Sequence, residues 1–136
     1  MTDFIIRFLI AGGVMAIFDA FWLTVVASKF YKSQIGQLLL EKPNMTAAVI
    51  FYVIYVIGIV AFVLSPALEK GSWQYALGYG ALFGLVAYAT YDLTNLSTLK
   101  GFTTKLVVVD MLWGALLTAA VSVIAYGIIA RWISAI

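Results

Sequence analysis

Three aspartates, Asp19, Asp92 and Asp110, stand inside long apolar stretches of this chain. A carboxyl facing hydrocarbon costs about 2.5–3.5 kcal/mol even on insertion scales, so each should face protein or a polar cavity. Carboxyls so placed can carry protons, bind a cation or hold a metal ion. Two of them head the same phrase, Asp19-x-x-Trp22 and Asp110-x-x-Trp113, and the third lies in Tyr91-Asp92-x-Thr94-Asn95. An indole N–H can donate to a carboxylate. Tyr88, Asp92 and Asn95, at i, i+4 and i+7, share one helical face with Gly84. Lys100 and Lys105 come soon after, as cations able to meet either the acids or a phosphate. The candidate ligand- or proton-binding residues are therefore Asp19, Trp22, Tyr88, Tyr91, Asp92, Asn95, Lys100, Lys105, Asp110 and Trp113.

The chemistry is bounded by what is missing. The sequence holds no cysteine and no histidine, which excludes thiol nucleophiles, imidazole relays and the usual zinc and haem ligands. No cofactor is expected, and no catalytic residue can be assigned. A metal, if bound, would fall to Asp92, Asn95 and Asp110, although these separated acids lack the dense D-x-x-D patch of diphosphate–metal sites. A net charge of +2 without a basic, aromatic-interleaved stripe argues against nucleic acid.

The elements that must position these residues are membrane spans. The chain is 65% hydrophobic and 10% charged, against about 25% charged in soluble domains. Four apolar stretches approach the ~20 residues that cross a bilayer. The expected fold is all-α: one transmembrane domain over residues 1–136, with spans near 4–28, 47–65, 73–95 and 106–132. The first stretch is too long for a signal-peptide core and is read as retained. Between spans one and two, Phe30, Tyr31, Ile35 and Leu38–Leu40 alternate with Lys29, Lys32, Gln34 and Gln37. That pattern predicts a short amphipathic helix at the interface, lysines toward headgroups, ended by Pro43 and Asn44. Ser65-Pro66 should end span two. Gly80-x-x-x-Gly84 in span three is a close-packing motif.

Antiparallel spans place Asp19 late in span one, Asp92 late in span three and Asp110 early in span four, all toward the side of the two longer loops. At ~1.5 Å per residue, Asp19 lies about 14 Å below Ser28 and Asp110 about 7 Å below Lys105. Because the two D-x-x-W phrases run in opposite directions, a crossed pairing is expected: the Trp113 indole to Asp19, and the Trp22 indole to Asp110. Three close carboxyls require a proton, a reaching lysine or a bound cation; the deepest, Asp19, is expected to be protonated. Lys29, Lys32, Lys42, Lys100 and Lys105 on the acidic side outnumber Arg7, Lys70 and Arg131, which places that side in the cytoplasm.

These residues together resemble a bacterial family of small four-span membrane proteins, the domain-of-unknown-function 2177 family (DUF2177). The resemblance rests on Asp19-x-x-Trp22, on Tyr91-Asp92-x-Thr94-Asn95-Leu96 with Lys100 after it, and on Asp110-x-x-Trp113-Gly114. It covers nearly the whole chain, implies an inner-membrane protein, and supplies no activity.

Three functions fit the residues. The first is a pocket that binds a cation, lipid headgroup or small amphiphile, with proton-coupled transport and a homodimer as its extensions. The second is an enzyme acting on a lipid or isoprenoid, its carboxylates serving metal binding or acid–base chemistry and its lysines a phosphate. The third is a structural subunit whose acids are packing glue, at ~0.6–2 kcal/mol per interhelical hydrogen bond. The first reading is placed ahead. Its partners would be the bilayer and a lipid or small-molecule ligand.

Overall fold

The computed structural model describes residues 2–39, 42 and 44–133, and every regular element among them is helical. Helix α1 spans Thr2–Phe21 and passes through a π-helical turn, Trp22–Ala27, into α2, Ser28–Ile35; a short 3₁₀ turn, Gly36–Leu38, ends the rod. Helix α3, Met45–Ile59, likewise passes through a π-helical turn, Val60–Leu64, into α4, Ser65–Lys70. Helices α5, Trp73–Thr98, and α6, Thr104–Trp132, are unbroken.

Among the described residues, three rods are long and apolar enough to cross a membrane: Asp3–Leu38, Met45–Lys70 and Thr104–Trp132. Helix α5 matches them in length, but glycines, tyrosines and a polar end dilute it. Side chains set the starts. Asn44 accepts from the Ala47 N–H at 3.1 Å, Ser72 from Tyr75 at 3.0 Å and Thr103 from Leu106 at 3.2 Å, as N-caps do. Gly71 ends α4 in the left-handed region at φ 62°, where a side chain would be strained.

Two boundaries differ from the expectation. Span two does not stop at Ser65-Pro66. A proline ring clashes with the carbonyl four residues back, and the π-helical turn just before it loosens that spacing, so the helix runs on to Lys70. The helix expected after span one is present and amphipathic, but it continues that span without a break instead of starting at the interface. Its apolar residues serve protein: Ile35 packs with Phe102, Leu106 and Val107, with Phe30 and Tyr31 alongside. Lys29 and Lys32 are exposed. Leu40 and Pro43, expected near the end of that segment, lie outside the described residues.

The tightest contact is between α5 and α6. A Cβ added at Gly84 would run into the Gly114 carbonyl oxygen, and one at Gly80 would lie 3.0 Å from that of Thr118. The expected glycine motif thus brings two helices backbone to backbone within this chain. Gly13 and Gly78 are the glycines of α1 and α5 with nothing against them. The main core runs through Met15, Val56, Ile59, Leu64, Leu117, Val121 and Ile129, joining α1, the α3–α4 rod and α6. Across it, the Tyr55 and Thr118 hydroxyls are bonded at 2.7 Å, and the Tyr52 hydroxyl donates to the Gly12 carbonyl. Arg7 donates to Ser65 at 2.8 Å near the opposite end.

Candidate functional site

The site forms where α5 and α6 are closest. Gly84 and Gly114 remove the side chains that would hold the helices apart, and the Tyr88 ring lies over Gly114. One turn further toward the α5–α6 connection, Asp92 faces Asp110, carboxyl to carboxyl. Helical side chains lean toward their own N-terminus. In an antiparallel pair the two therefore lean toward each other, so residues whose backbones sit at different depths can meet.

Asp92 is 0% exposed, and neither of its oxygens receives a hydrogen bond. Asp110 is buried and accepts from the Tyr31 hydroxyl, carried in by α2. The Trp22 indole N–H donates in turn to the Tyr31 hydroxyl oxygen at 3.3 Å. The direct crossed pairing of indoles with aspartates is not made. Tyr31 stands between Trp22 and Asp110, and Trp113 stacks flat on Trp22, ring centroids 4.2 Å apart and planes within 8°. The opposed lean explains this too: Trp22 starts shallow and leans inward, while Trp113 starts deep and leans outward.

Asp19 is half-buried and lies within electrostatic reach of Tyr52, Tyr55 and Tyr88. The three acids do not close into one group: among the described residues, no three acidic side chains converge as a metal site would need. Asn95 is half-buried beside Tyr91. Lys100 and Lys105 are exposed, and neither reaches the acid pair.

Beside the pair opens a cavity of about 320 Å³, lined by Phe51, Ala87, Tyr88, Tyr91 and Asp110. It lies between α3 and α5, beyond the mid-helix ring contacts of Tyr55 and Phe62 with Phe83 and of Tyr55 with Tyr88. Phe51 and Tyr91, at the mouth, are 54% and 59% exposed. The cavity is therefore a side cleft between two helices with a single carboxyl at its base.

Sequence reasoning passed over Tyr31, Phe51 and Ala87 as site residues. Tyr31 carried no residue-type signal, because its facing depends on a π-helical turn. In an uninterrupted α-helix it would point about 120° away from Asp19, but one extra residue in a π-helical turn rotates the residues beyond it by about 100° and restores the shared face. Phe51 carried none, since it sits in a helix apolar all round.

A family model described as a predicted membrane protein, DUF2177, matches residues 4–127. Neither the curated proteins nor the solved structures yield a match.

Proposed function

The chain belongs to the DUF2177 family of predicted membrane proteins, and from that premise we propose that it binds an amphiphile from the bilayer. The polar head would be held by Asp110 and the tail left in lipid. One observation carries the reading: a cleft of about 320 Å³ with apolar and aromatic walls and one buried carboxylate at its base. Pockets of this kind are where small ligands bind: mostly apolar, with a few polar groups fixing orientation. Its exposed mouth residues lie on the side of the helices that would face lipid. A free metabolite would need a water route, whereas an amphiphile can enter sideways.

In this reading all four rods cross the inner membrane of a bacterium, with the acid pair toward the cytoplasm. The lysine excess on that side, Lys29, Lys32, Lys42, Lys100 and Lys105, supports the orientation. Coupling to proton movement is a natural extension of a paired carboxyl at the ligand's seat.

Native mass spectrometry of the gently extracted protein tests the reading, beside an Ala87→Phe variant that fills the cleft. The expected result is a saturable amphiphile adduct on the wild type that the variant does not carry. A wild type that neither carries nor takes up any amphiphile contradicts it.

A further inference from the structure

We infer that the cleft selects a singly charged ammonium head, because Asp92 holds a proton and leaves Asp110 as a lone carboxylate facing the ligand. This rests on the cleft reading above and adds the charge and class of the ligand.

Asp92 is the acid that cannot keep its charge. It is wholly buried, and neither oxygen receives a hydrogen bond from the protein. Such a carboxylate would be a bare charge in an apolar interior, facing a second carboxylate. Two like charges in contact there repel strongly. A proton on Asp92 removes the repulsion and turns Asp92 into a donor with Asp110 as its acceptor. The titratable groups facing the pair do not offer another solution. They are Tyr31 from α2 and Tyr88 and Tyr91 from α5, with Asp19 from α1 and Tyr55 from α3 beyond Tyr88. None is a cation, and Lys100 and Lys105 remain exposed.

The charge belongs on Asp110. It accepts from Tyr31, whose hydroxyl is itself polarised by the Trp22 indole, and it alone of the pair lines the cleft. A carboxylate with two donors behind it and one open side presents one negative charge. That matches a monocation, and an ammonium suits the walls: the faces of Phe51, Tyr88 and Tyr91 attract such a cation. A divalent ion would need both carboxylates ionised and six or more oxygen ligands, which the cleft lining does not provide.

The full chain in lipid nanodiscs, with Trp73→Phe and Trp132→Phe so that emission reports only the Trp22–Trp113 stack, is titrated with a long-chain primary ammonium, with the alcohol of equal chain length and with Mg²⁺. The expected wild-type preference for ammonium over alcohol is about tenfold or more. Asp110→Asn should abolish the preference. Asp92→Asn should keep it within about threefold, since the amide N–H can donate to Asp110 as the protonated carboxyl does. If Asp110→Asn fails to fold, the exposed Tyr91→Leu replaces it and should weaken ammonium binding while sparing the alcohol. Loss of the preference in Asp92→Asn, or displacement of the ammonium by Mg²⁺, overturns the single-proton assignment. Equal binding of ammonium and alcohol overturns the inference and leaves the cleft reading intact; binding of neither overturns both.

Discussion

The two faces of α5 are built on opposite principles. Toward α6, glycines bring backbones into contact, and nothing larger than hydrogen fits at Gly84. Toward α3, the helices touch through rings at their middle, and the cleft opens beyond them. The closed face holds the buried acid, Asp92, and the open face gives Asp110 its access. A rigid seam thus lies directly beside an unfilled gap, on one and the same helix.

Substitutions along α5 and its neighbours can break or sharpen this contrast. The largest effect is expected at Gly84→Ala, whose new carbon meets backbone that cannot yield. It should cost roughly 3 kcal/mol or more, at the upper end for overpacking, read as lost resistance to denaturant in lipid-like micelles. Gly58→Ala comes next: its carbon would meet the Phe83 ring tip at 2.7 Å, and a ring can swing, so a cost of about 1–2 kcal/mol is expected in the same assay. Tyr55→Phe removes the hydroxyl paired with Thr118. Interhelical bonds of this kind average about 0.6 kcal/mol, and a loss near that figure is expected. Gly78→Ala has nothing within 4 Å and Phe51→Ala lies at the open mouth; both should stay within about 0.5 kcal/mol. If Phe51→Ala destabilised the fold as much as Gly58→Ala, the cleft would be a packed interface and the contrast would fail.

Tyr31→Phe tests the link between the faces. It removes the donor to Asp110 without changing the packing of the ring against Trp22 and Phe30. A drop of about 1 kcal/mol in stability is expected, with the Trp22 and Trp113 emission shifted as the indole N–H loses its partner. Unchanged emission would mean that the Trp22–Tyr31–Asp110 chain is not formed in solution.

Much was legible from residue types alone. An all-helical membrane protein followed from composition and run length. The importance of Gly80 and Gly84 followed from spacing, and the shared end of Asp92 and Asp110 from antiparallel counting, which expects Asp19 in the same cluster. What failed depended on rotation and reach. The indole pairing was placed by backbone depth, and side-chain lean moved both rings to one level. The amphipathic segment after span one is helical as its pattern predicts, and only the tertiary structure shows that its Ile35 packs on Phe102, Leu106 and Val107. The lysines were placed at the site because they are near in sequence, yet they project from the end of the bundle.

The sequence by itself determined that three carboxyls lie within apolar helices, where facing hydrocarbon is costly, and that glycine would allow two helices to touch. Composition and period are local properties, written in each span. Only the tertiary structure decided that two acids pair while Asp19 stands apart, that a tyrosine from a neighbouring helix takes the donor role, and that a cleft opens beside Asp110. Those outcomes depend on the phase of one helix against another, which a single π-helical turn resets by about 100°, and no residue type records that sum.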